Sequence, residues 1–192
     1  MNNSTQLDLQ AMRIAAHQRE WNTLQDIFKR LIAEVDPLVA LQVPAPRLHD
    51  FLKTFESYYP EAAWVREMLL TIINYASAPK DLPVHTLNQF PSPGCGNFMM
   101  GVFELAWTVQ MGIEVFERYS HVTNALSNVL LAELQHLYFS QRPVVYEALR
   151  EGSPPERTQA QYAFWIDDEV AARDTALWLA VVDDVEKMLQ RT

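Results

Sequence analysis

The chain has 192 residues, an apolar fraction of 49%, a charged fraction of 20% and a formal net charge of -9. The length suits one domain with a sizeable core, and the composition excludes an intrinsically disordered chain. The acid excess, with no basic run to offset it, excludes a surface that tracks nucleic-acid phosphates and opposes anionic membranes, and it suits a basic protein partner.

Five Gly and 11 Pro, the prolines gathered between apolar stretches, predict long helices with punctuated connections. The expected fold is an all-α, single-domain bundle over residues 1–192, with about six or seven helices and one long Pro/Gly-rich loop. One cysteine rules out an internal disulfide, and the polar opening Met1 to Gln10 shows no signal sequence, so the cytoplasm is the expected compartment.

The first helix is expected from Thr5 to Val35, with Ile14, Trp21, Leu24, Phe28, Leu31, Ile32 and Val35 at helical spacing and Asp36-Pro37 as the stop. A link through Pro44 and Pro46 leads to a short helix from Pro46 to Tyr58. Another runs from Pro60, with Glu61 favourably placed in its first turn, to Ala76. Residues 77–96 carry Pro79, Pro83, Pro91, Pro93, Gly94 and Gly96, too many breakers for a regular element, and read as an irregular loop or lid.

Asn97 is a plausible cap for an apolar helix to Tyr119, and Ser120 for the next, to about Gln141. Pro143 opens a short helix ending at Gly152. Ser153-Pro154-Pro155-Glu156 then supplies a capping hydroxyl, a proline at the first position and a carboxylate three residues on, ahead of a final helix to Gln190. The stretch from Phe98 to Phe116 approaches bilayer length, but Glu104, Gln110 and Glu114 interrupt it and its flanks lack a basic bias. It reads as a central packed helix.

The chemistry centres on Glu133 and His136, one turn apart inside the apolar arc formed by Val122, Leu126, Val129, Leu130 and Leu137. A buried carboxylate or imidazole must be paired, hydrogen-bonded or bound to metal. With a turn at Tyr119-Ser120, an antiparallel hairpin sets Glu104 level with Gln135, and so within one turn of both. Glu104, Glu133 and His136 together would supply ligands for a divalent metal or iron, or line a small-ligand pocket. The Glu-x-x-His spacing resembles half of the di-iron carboxylate pattern of ferritin-like proteins, although the final helix holds no second pair. The plainer reading is that the two side chains hydrogen-bond to each other or to a tyrosine, with no cofactor.

Cys95 lies just before the start of the apolar helix, where the helix dipole favours a thiolate, and is a candidate reactive thiol. Met99, Phe103 and Trp107 form a candidate interface or pocket wall on the apolar helix. No nucleotide loop, nucleophile elbow, Cys-x-x-Cys pair or His-Glu-x-x-His motif occurs. The expectation is an interaction or regulatory protein that binds a second copy or a protein partner, with catalysis not required. The alternative is a metal- or small-ligand-binding bundle.

Overall fold

The computed structural model describes residues 3–191. Their regular structure is ten α-helices and one 3-10 helix, with no strand among the described residues. In chain order these are α1 (Asn3–Gln18), α2 (Trp21–Ile32), α3 (Pro37–Ala40), α4 (Pro44–Tyr58) and α5 (Ala63–Tyr75). A 3-10 helix at Val84–Gln89 precedes α6 (Cys95–Val109), α7 (Val115–Phe139), α8 (Pro143–Glu151), α9 (Pro154–Ile166) and α10 (Asp168–Arg191). Among the described residues no helix is long and apolar enough to cross a membrane.

The all-helical architecture agrees with the sequence, and the larger helix count has identifiable causes. The helix expected from Thr5 to Val35 is two helices, because Arg19 adopts a left-handed conformation with φ 56°. Its side chain pins that conformation: Nε donates to Asp174 at 3.2 Å and Nη2 to the Trp165 carbonyl at 3.0 Å. A non-glycine residue holds such a backbone only where its surroundings over-determine it. The final helix is likewise broken at Asp167, whose backbone is extended and whose Oδ1 accepts from the amides of Glu169 and Val170. Asp167 therefore caps α10.

The third difference moves the centre of the bundle. The hairpin of α6 and α7 turns at Gln110–Glu114, where Gly112 has φ 87°, and Ser120 lies inside α7. Relative to a turn at Tyr119-Ser120, α7 slides along α6 by about 12 positions, or about 18 Å at 1.5 Å per residue.

These two helices form the most extensive pair in the fold, with α4 packed across both, α10 against α7 and α1, and α5 against α6. Phe98, Met99, Val102, Phe103, Leu105 and Ala106 of α6 are fully buried, as are Val122, Leu126, Val129 and Leu130 of α7. Glycine permits the close contact: a Cβ on Gly94 would lie 2.2 Å from the Ala132 carbonyl oxygen, and one on Gly101 would lie 3.0 Å from Leu48.

Residues 77–94 hold no α-helix, but the 3-10 turn is a regular element that the run of breakers did not predict. The segment is anchored. Phe90 is buried against Phe55, Tyr59 and Trp64, and the Tyr146 hydroxyl donates to the Pro91 carbonyl at 2.7 Å.

Candidate functional site

Three helices each turn one stripe toward a common groove of about 920 Å³ that is open rather than enclosed. From α4 come Arg47, Asp50, Phe51 and Thr54, from α7 Glu133, His136 and Leu137, and from α10 Glu169, Ala172, Arg173, Leu177 and Asp184. Within each helix these lie three or four residues apart or at multiples of that spacing, so each set shares one face. Pro46, Phe51, Leu137 and Leu177 give the groove an apolar lining, and charged groups alternate above it.

The charges do not balance. Arg173 donates to Glu133 at 2.9 Å, and Arg47 donates to Asp184 at 2.7 Å and to the Val43 carbonyl at 2.9 Å. These pairs use both guanidinium groups of the lining. Asp50 and Glu169, both exposed, have no cationic partner among the described residues. His136 does not compensate them. Its Nδ1 is buried without a hydrogen-bond partner, its ring stands edge-on to Phe51 and Tyr58, and burial holds the imidazole below its ordinary value of 6.5. Neutral at pH 7, it leaves Asp50 and Glu169 as unpaired carboxylates over an apolar lining, while Asp184 is shared by Arg47 and by Lys187 at 3.5 Å.

The structure brings Glu133 and His136 into this groove and places Glu104 elsewhere. With the hairpin closed at Gly112, Glu104 is level with His121 and Asn124: its Oε2 lies 2.6 Å from His121 Nδ1, and Asn124 donates to its Oε1 at 3.3 Å. The His121 ring lies 5.6 Å from that of Trp107. Burial of the Glu104 carboxylate is thus satisfied by an imidazole, an amide and its position at the helix pair. The expected three-residue metal set is not assembled, and among the described residues no group of three or more His, Cys, Asp and Glu side chains is arranged to hold a metal ion. No residue of 77–96 lines the groove.

Two further expectations change once burial is known. Cys95 is fully buried, and burial pushes its thiol up to about 12, so desolvation overrides the helix dipole and no thiolate is available. Met99 and Phe103 are also fully buried within the chain and offer nothing to a partner, while Trp107 is half-buried over His121.

Sequence reasoning missed Arg47, Asp50, Glu169 and Arg173. Their signal was present as charged positions at helical spacing, but without tertiary register each also reads as ordinary solvated surface. Asp174, on α10, carries a fully buried carboxylate. Asp174 accepts from Arg19 Nε and from Trp21 Nε1 at 3.1 Å. No known family model matches the chain, and no curated protein sequence or solved structure matches it significantly.

Proposed function

We propose that this chain is a protein-binding module whose groove between α4, α7 and α10 docks a basic amphipathic helix of a partner protein. The observation that carries the reading is the pair of uncompensated carboxylates, Asp50 and Glu169, above an apolar lining in an open groove. An amphipathic helix meets both demands, burying its apolar stripe on Phe51, Leu137 and Leu177 while Lys or Arg on its flanks face the carboxylates. The chain's net charge of -9 steers such a ligand toward it at low salt.

Fluorescence anisotropy with a synthetic Lys/Leu amphipathic helix tests the proposal. The helix is expected to bind, and a Glu/Leu counterpart of the same length is not. Exposed charge pairs contribute about 0.2–1 kcal/mol each, so Asp50→Asn with Glu169→Gln should weaken binding by about 2- to 30-fold. Added salt should weaken it further, and Glu117→Gln, outside the groove, should have no effect. Equal affinity for the acidic helix, or an unchanged affinity in the double variant, would refute the reading.

A further inference from the structure

A second surface, which meets the groove above at Pro46 and Asp50 of α4, gathers exposed apolar residues of the fold at one end of the bundle. Leu38 (41% exposed) on α3, Ile73 (39%) and Tyr75 (77%) at the end of α5, and Met111 (96%), Val115 (58%) and Phe116 (68%) at the α6–α7 corner account for half of the large exposed apolar side chains among the described residues. The elements that carry them are tied together by side-chain hydrogen bonds to backbone carbonyls. Gln110 Nε2 donates to the carbonyls of Pro79 and Lys80 just beyond α5, at 2.6 and 3.1 Å. The Tyr119 hydroxyl donates to the Val35 carbonyl just before α3, at 2.7 Å.

The end has both a projection and a recess. Met111, Val115 and Phe116 stand out from the corner, while Leu38, Leu41, Leu70, Ile73 and Leu105 line an apolar groove of about 720 Å³. Leu105 lies in the last turns of α6 and Met111 just past that helix's end, so recess and projection sit at the same end of the bundle. A knob beside a hole on one face is the arrangement a two-fold axis requires, because each copy then offers its partner what it receives.

The area also fits. At about 200 Å² for a large apolar side chain, the exposed fractions of the six residues amount to roughly 750 Å². That approaches the roughly 800 Å² per partner of a standard interface. We infer that this end is a closed two-fold dimer interface, in which the Met111–Phe116 corner of each copy seats in the Leu38–Ile73 groove of the other.

Sedimentation equilibrium of the full chain, from about 1 to about 100 µM, tests this. The expected mass rises to that of two chains and stops there. Phe116→Glu and Ile73→Glu should each weaken the dimer at least about tenfold, with melting followed alongside because Lys29 Nζ lies 5.3 Å from the Phe116 ring and Ile73 is only 39% exposed. Tyr162→Glu, on α9, should dimerise normally. Combining Phe116→Glu with Ile73→Lys in one chain should restore part of the lost association. Raising the salt should tighten the dimer by screening the repulsion of two chains of charge -9, opposite to its effect on the basic helix. A monomer at the highest concentration, a mass that grows past two chains, or normal dimerisation of Phe116→Glu would each overturn the inference. Should Phe116→Glu melt early, Met111→Lys at the most exposed of these positions takes its place, and normal dimerisation of that variant would overturn the inference equally.

Discussion

Replacing Asp174 tests whether burial or pairing governs the carboxylate at the break between α1 and α2. The side chain is 1% exposed and its Oδ1 has no partner, while Oδ2 accepts from both Arg19 and Trp21. Desolvation outweighs these hydrogen bonds and the attraction of Arg19, so the carboxyl pKa is raised above its ordinary 3.8. Between 3.8 and the raised value the folded chain holds more protons than the unfolded chain, and stability therefore falls as pH rises through that window.

Asp174→Asn keeps an oxygen acceptor for Trp21 and has no proton to lose, so it should gain on the wild type as pH rises through the window and hold that gain above it. Asp174→Ala removes the acceptor altogether. A buried donor left unsatisfied costs about 1–3 kcal/mol, and Arg19, partly exposed, recovers water and adds less. The loss should be about 2 kcal/mol, or about 4–8 °C in Tm for a chain of this size. Urea unfolding followed by far-ultraviolet circular dichroism at several pH values measures both. If the Asn variant instead loses ground as pH rises, attraction by Arg19 exceeds the desolvation cost and the reasoning is wrong.

Gly94→Ala should cost more than about 3 kcal/mol, because a left-handed backbone is combined with a Cβ 2.2 Å from a carbonyl oxygen. Gly112→Ala, with a similar φ but open space around it, should cost about 1 kcal/mol, and equal melting losses would show that helix approach is not what demands glycine at 94. In its native state Cys95 should react with a soluble disulfide reagent on the order of 100-fold or more slower than in the denatured chain, and prompt native labelling would contradict its burial. The His136 ring should titrate below 6.5 by NMR, and stability should fall as pH drops from 6.5 through that lower midpoint while His136→Phe escapes this loss. A midpoint at or above 6.5 would refute it.

What could be read from the sequence was local, and what could not was tertiary. Pro143 and Pro154 do open helices, and Glu156 accepts from the amide and hydroxyl of Ser153 at 2.7 and 2.6 Å, as their spacing predicts. Asp167-Asp168-Glu169 carried a cap and an acidic first turn that a continuous apolar stripe concealed. Gly112 has the left-handed backbone that stops α6, but the apolar residues on either side of it, Met111 and Ile113, let the apolar run read on to Tyr119. Arg19 offered no signal, since only contacts with Asp174 and Trp165 hold its backbone. The candidate site suffered from the hairpin error: once the turn moved, Glu104 found His121, and only Glu133 and His136 stayed together.

Helix α4 separates the two surfaces proposed as interfaces, and Pro46 and Asp50 line both the 920 Å³ and the 720 Å³ grooves. With a different occupant on each flank of α4, the two occupants share Pro46 and Asp50. Whatever displaces α4 to widen one side narrows the other, and thermodynamic linkage then requires that the influence be mutual and equal in free energy. Titrating the basic helix against chain held above and below its self-association threshold would read that crosstalk directly.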